Sequence, residues 1–262
     1  MPDVVVRHPR WRTTSRSHVT VVEDFHHALA ASAADLPGSE LLPERLARAC
    51  ALVLPVDGAG ISLFFLSDRR LPLGASDPES SQAERLQFTS GEGPCLTSHV
   101  TGEPVLADES SIRARWPAFY DGLVTHTRIR GTISIPLRDE LRGIGALDLY
   151  LVPPRGVGSL SLQDALLISG EVAAVLQAQS RQVESPSGGP AWLDAPAAER
   201  RSTVWQAIGF VNASLHVSSP DALALLRAHA FAAGSSLEDV AARVLDRTVP
   251  VQELALDSDS PR

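Results

Sequence analysis

Apolar positions along this chain recur first at helical spacing, then alternate, then return to helical spacing. Over Val19–Ala34 they repeat every three to four residues, which predicts a helix ended by Pro37 and Gly38. A second amphipathic helix is predicted over Leu41–Leu54, with Leu42, Leu46, Ala49 and Val53 on one face. The period then drops to two. Ile61, Leu63 and Phe65 alternate, a turn follows at Ser67 and Asp68, and Leu71 and Leu73 alternate again, as in an antiparallel hairpin. A helix over Asp77–Phe88 comes next, then a short one opening at Gly93-Pro94, since proline suits the first helical position. A short strand falls in Glu103–Glu109, and Trp116–His126 reads as helical or irregular. Two further strands are predicted over Thr132–Leu137 and Ile144–Val152, around a polar turn.

Ser159–Val183 is predicted as one long helix, in which Leu162, Leu166, Val172 (or Ala173) and Leu176 keep near-heptad spacing suited to a dimer seam. Periodicity vanishes over Glu184–Pro196, where Pro, Ser and Gly dominate, as in a flexible linker. Beyond it the pattern is purely helical. Val204, Ile208, Val211 and Leu215 form one apolar stripe. Ser219-Pro220-Asp221 starts a second helix, with Ser219 as its cap, and Gly234 stops it. A third begins at Ser236 with Asp239 at the capping-box position and Val240, Val244 and Leu245 on its apolar face. The fold class is therefore α+β: an antiparallel sheet flanked by helices, followed by a small all-α three-helix bundle. The domain boundaries are a disordered tail at 1–18, a sheet domain at 19–183, a linker at 184–197, the bundle at 198–252 and a tail at 253–262.

Composition narrows the chemistry. With 44% apolar and 21% charged residues in 262, the chain falls in the globular range. No apolar run suits a membrane span, and the N-terminus has no apolar core of a secretory signal. Cys50 and Cys95 make neither a disulfide framework nor a four-ligand zinc site, which points to a cytoplasmic setting. All 23 basic residues are arginine, and the net charge of −8 excludes nucleic-acid binding through bulk charge. No nucleophile elbow or phosphate loop occurs, so no enzyme activity is expected. Gly143–Asp148 looks like a phosphate motif but lies in a strand pattern without a following helix. Cys95 and His99, at i and i+4, are two ligands short of a metal site, so neither metal nor cofactor is expected.

Gly91–Cys95, Thr101–Val105, Arg115–Pro117 and Ile144–Leu147, in this order of elements, resemble the GAF sensor family over Val19–Val183. The resemblance implies a small-ligand pocket over the sheet, for which Cys95, His99, Trp116, Tyr120 and His126 are the candidates. Gln206, Ala207, Gly209, Val211, Leu215, Val217, Ser218, Ala222, Leu223, Leu225–Ala228 and Ala230 resemble the signature of ANTAR domains, to which Ser236–Leu245 adds the closing helix. That implies a bundle that grips paired RNA hairpins in leader transcripts and blocks a terminator, working as a homodimer. Unstacked loop bases are the readable part of RNA. Ala207 and Gly209 would let a base approach the helix, Gln206 would contact it, and Arg200, Arg201 and Arg227 would hold phosphates. Gly209 equally suits close helix packing, and Trp205 suits a core or interface. Ile208 stands where many family members carry a basic residue. From Ala198 onward eight acids face six arginines, a net of −2. A bundle this acidic also fits a rival function, protein–protein contact by a sensor or scaffold that has lost RNA binding.

Overall fold

Five strands, β1 (Gly58–Phe64), β2 (Arg70–Ala75), β3 (Val105–Ala107), β4 (Gly131–Pro136) and β5 (Gly145–Leu151), form one antiparallel sheet in the spatial order β2-β1-β5-β4-β3. The structure, a computed structural model, describes residues 18–64, 70–138, 141, 143–180 and 190–256. Phe65, the turn at Ser67 and Asp68, and the N-terminal tail through residue 17 lie outside them, as do residues 181–189 and the tail from residue 257.

Register explains the period-two pattern. Ile61 pairs with Leu147, and Ile133 with Leu149, so the aliphatic residues of neighbouring strands share one face. That face, with Leu63, Leu71, Leu73, Ile135 and Leu151, is buried under α1 (His18–Ser32), α2 (Leu42–Val53) and α7 (Leu162–Ser180). The opposite face carries Ser62, Arg70, Thr132, Ser134, Asp148 and Tyr150, and it is buried as well. The helices α3 (Pro78–Ser90), α4 (Pro94–Thr101), α5 (Glu109–Arg115) and α6 (Pro117–His126) flank it. Alternation thus marks a sheet with one oily and one polar interior, not one with a wet side.

The bundle consists of α8 (Pro196–Leu215), α9 (Ser219–Ala232) and α10 (Leu237–Leu245), with a last turn α11 (Glu253–Leu256). Its core is Val204, Ala207, Ile208, Val211, Leu223, Leu226, Val240 and Val244. The α9 cap is Ser218, one residue before the predicted Ser219, and its hydroxyl accepts from Asp221 N–H. Ser236 caps α10 as predicted, accepting from Asp239 N–H.

Two expectations change. The near-heptad stripe of α7 is not a free seam, because Val172, Ala173 and Leu176 are buried against the chain's own sheet domain, with Leu162 and Leu166 partly so. The stretch from Pro190 is not a free tether either. Ala191–Asp194 forms a 3-10 turn whose Trp192 is buried and donates its indole N–H to Leu176 O at 3.3 Å. Ala195 and Ala198 belong to the core of the sheet domain, whereas Val204 onward belongs to the bundle core. A single 20-residue helix, α8, therefore straddles both units, and Trp205 packs against both cores. Such a helix is about 30 Å long. It also packs on β2, an edge strand of the sheet.

Close packing makes a prediction at Gly74 of β2. A Cβ there would fall 2.6 Å from the backbone nitrogen of Glu44 and the carbonyl carbon of Pro43 in α2, and neither can swing aside. Gly74→Ala is expected to lower unfolding free energy by about 1–3 kcal/mol, as overpacking does. Urea denaturation checks this; an unchanged midpoint would show that α2 yields freely.

Candidate functional site

Arg70 opens β2, and its alternation places it on the polar face of the sheet, where it is 1% exposed. Its Nη2 donates to Glu84 of α3 and, at 3.2 Å, to Asp148 of β5, while its Nη1 donates to Glu84 O at 2.7 Å. Glu84 also accepts from the hydroxyls of Ser62 and Tyr150. Asp148 accepts from Ser134 Oγ. Gln87, one turn after Glu84, accepts from Cys95 N–H at 2.9 Å. A Cβ on Gly60 would overlap the Glu84 side chain, so the missing side chain in β1 is what admits the carboxylate.

Two carboxyls share one guanidinium, and only one can be neutralised by it. Burial, reinforced by the Glu84 charge and opposed by Arg70, raises the Asp148 pKa to about 8. Asp148 therefore keeps a proton at neutral pH, and the cluster is closed in charge. The Cys95 thiol lies 3.5 Å from Arg70 Nη2, and burial pushes its pKa well up despite that cation. It is a protonated thiol packed with Phe64 and Ala146.

The motif residues around Cys95 have structural duties. Gly91 ends α3 in the left-handed conformation at φ +72°. Glu92 accepts from the N–H groups of Ala118 and Phe119, capping α6 from a distant loop. Gly93, at φ +147°, and Pro94 start α4.

The five predicted pocket residues do not converge. Cys95 and His99 share α4, and the His99 ring stacks on Phe64 at 3.9 Å; desolvation lowers its pKa. Trp116 is buried in a separate cluster with Phe119 and Leu123, under the Arg115 guanidinium at 4.3 Å. Tyr120 packs partly on that cluster and donates to Glu109 Oε1 at 3.0 Å. His126 is exposed at the end of α6. The candidates are thus split between packed aromatics on one side and the surroundings of the buried charge cluster on the other.

The predicted RNA contacts also divide. Arg200, Gln206 and Gly209 are exposed, and nothing lies within 4 Å of where a Gly209 Cβ would be. Gly209 is thus open surface and not a helix-packing notch. Ala207 is fully buried in the bundle core and cannot meet a base. Arg201 is 1% exposed, paired with Glu238 of α10 at 3.2 Å, with its guanidinium 3.5 Å from the centroid of the Phe88 ring. Burial pulls its pKa to about 9, with Glu238 opposing, so it stays charged at neutral pH. Arg227 donates from Nε to Phe88 O at 3.0 Å, and its guanidinium lies 5.1 Å from the same ring. Both cations point into the junction of the two units, because Phe88, though part of α3, packs in the bundle core. A small crevice of about 20 Å³ runs beside it, lined by Arg85, Arg200, Glu84 and Glu238 among others.

Sequence reasoning missed Arg70, Glu84, Asp148, Phe88 and Glu238. A charge inside an apolar strand, as in the Asp148 stretch "GALDLYL", is the signal that was available. The exposed Arg243 and Arg247 of the bundle were missed too.

Residues 196–245, which are α8 to α10, match the family model of the ANTAR domain. No curated protein matches the chain. Among solved structures, the GAF domain of a phosphoenolpyruvate-protein phosphotransferase from Coxiella burnetii is similar at 11% identity, covering 63% of this chain and 98% of that one, with a TM-score of 0.44. The GAF domain/HD domain protein from Geobacter sulfurreducens is similar at 15% identity over 57% of this chain and 99% of that one, with a TM-score of 0.42. The GAF domain of a putative sensor histidine kinase from Pseudomonas syringae pv. tomato gives 14%, 62%, 86% and 0.37 in the same order.

The charge cluster predicts a pH dependence. Asp148 has its pKa raised from 3.8 to about 8 on folding, so the folded chain binds the extra proton. Its contribution is fully present below about pH 4 and is lost as pH rises to about 8. The wild-type minus Asp148→Asn difference in unfolding free energy, from urea titrations at several pH values, is expected to fall across that window. A difference flat in pH would mean that Asp148 is ionised in the fold. Arg70→Met, which leaves Glu84 buried without its cation, is expected to cost about 3–5 kcal/mol.

Proposed function

We propose that this protein is a non-enzymatic, cytoplasmic regulator whose bundle binds hairpin RNA in leader transcripts and antiterminates transcription under control of the sheet domain. The match at residues 196–245 carries this reading, since ANTAR domains are RNA-binding antitermination domains and GAF domains are sensors. The exposed stripe of α8 supports it. Gln206 and Gly209 lie on one side of that helix, three residues apart, with small Ala213 exposed a turn further on. A base or sugar can lie against such a surface, and the exposed Arg200, Arg243 and Arg247 are available for phosphates. With the bundle net acidic, these few arginines must be placed locally rather than act through a broad positive field. Paired hairpins call for two copies of the chain, and since the α7 stripe is buried, the dimer uses another surface. No helix among the described residues is long and apolar enough to cross a membrane. The inward-facing Arg201 and Arg227 favour the rival, a bundle made for protein contact.

Titration of the full chain against a paired-hairpin RNA, an unrelated RNA and duplex DNA, at two salt concentrations, separates the readings. Hairpin-selective binding with a shallow salt slope is expected. Gly209→Leu is expected to weaken it about tenfold, roughly 1.4 kcal/mol, without lowering the thermal midpoint, since leucine suits an exposed helical position better than glycine. Arg200→Ala is expected to reduce the salt slope by about one. Absence of hairpin binding in folded protein leaves the protein-contact rival.

A further inference from the structure

Phe88 is placed oddly for a residue of α3. Its helix belongs to the sheet domain, yet its ring is 1% exposed within the bundle core, among Val204, Ala207 and Leu226. Around that ring gather two of the bundle's arginines. Arg201 lies over it at 3.5 Å and Arg227 at 5.1 Å, and Arg227 also donates to the Phe88 carbonyl. Cation–π contact gains strength when both groups are desolvated, as Arg201 and Phe88 are, while Arg227 is half-buried.

The closed arrangement leaves polar groups without protein partners. Arg201 Nε and Nη1 and Glu238 Oε2 are buried and make no hydrogen bond. A guanidinium satisfied on one edge only is poorly compensated for its lost hydration. Phosphate would offer a bidentate, charge-assisted partner instead. The junction therefore holds Arg201 in an environment that a polyanion can better.

The same helix, one turn earlier, is anchored in the sheet domain. Glu84 is held by Arg70, Ser62 and Tyr150, and Gln87 by Cys95 N–H. A change in that cluster that shifts α3 along or about its axis must move Phe88, because both residues ride on one rigid helix.

We propose that Phe88 is a latch: the sheet domain uses it to withhold Arg201 and Arg227 from RNA, and displacement of α3 releases both to bind phosphates. This rests on the RNA-binding reading above. In the latched state only the peripheral arginines contact RNA, and affinity is low. In the released state two more phosphates are neutralised, which steepens the dependence of log affinity on log salt by about 0.7 to 0.9 for each.

Phe88→Leu in the full chain removes the aromatic face while keeping an apolar side chain in the bundle core. Phe88→Ala, accepted only if its circular dichroism and melting are cooperative, removes the plug altogether. Both are titrated with the paired-hairpin RNA across a salt series, alongside amide exchange of residues 219–232 without RNA. The latch predicts faster exchange, about tenfold or more tighter hairpin binding, and a salt slope steeper by roughly 1.5. Arg201→Gln added to Phe88→Leu is expected to return about half of the gain in slope. Unchanged affinity and slope in folded Phe88→Leu, with wild type binding the hairpin normally, would overturn the latch and leave the RNA reading standing. No hairpin binding by wild type or any variant would overturn both.

Discussion

Everything on the second face of the sheet depends on how one buried guanidinium is neutralised. Arg70 has no access to water, so the carboxylate that compensates it must come from within the fold. Glu84 of α3 supplies it, protonated Asp148 of β5 adds a polar partner, and the hydrogen bonds converging on Glu84 fix the helix in register over β1. Gly60 leaves the gap into which that carboxylate fits. An aliphatic pair in the same place would hold α3 against the sheet with less directional demand. Ion pairs of this kind are poor general stabilisers, but their geometry admits few alternatives, which suits a helix whose position matters.

Two mechanical connections join the units. One is α8, which begins in the core of the sheet domain at Ala198 and ends in the bundle, so the bundle cannot tumble on a tether. The other is the end of α3, through Phe88. The first connection is covalent and stiff, and the second is non-covalent and rich in charges, with Arg201 and Arg227 at the Phe88 ring and Glu238 paired to Arg201. Motion at the junction is thus expected as pivoting of the bundle about the N-terminal part of α8, with the α3 contact making and breaking.

Helical periods, the change to period two, the cap at Ser236 and the helix start at Pro94 were legible because they follow from local sterics and backbone hydrogen bonding. The two signatures resembling known families were legible in the same way, since Gly91, Glu92 and Gly93 each have a backbone duty. The fate of the candidate site was not. Arg201 and Arg227 sit at helical positions that look solvated, and only tertiary docking brings Phe88 over them, 113 and 139 residues away in sequence. The α7 stripe misled for a related reason: near-heptad spacing shows that a face is covered, not by what. Pro190–Ala195 misled because composition signals irregular backbone, whereas a single 3-10 turn is enough to bury Trp192, and Ala195 follows it into the core.

An acidic bundle with few arginines gains a particular property from this arrangement. Where binding rests on many exposed cations, hiding two of them changes affinity little. Here three arginines of the bundle are exposed among the described residues, Arg201 is buried and Arg227 half-buried, so under the proposed latch covering or releasing that pair would alter a large share of the charge available to RNA. Under the proposed latch, charge scarcity, which at first weakens the case for nucleic-acid binding, would make affinity sensitive to domain geometry. The same scarcity limits non-specific attachment to other polyanions, because counterion release scales with the number of phosphates neutralised. Selectivity would then come from the open surface at Gly209 and the stripe around it, and strength from the arginines that α3 governs.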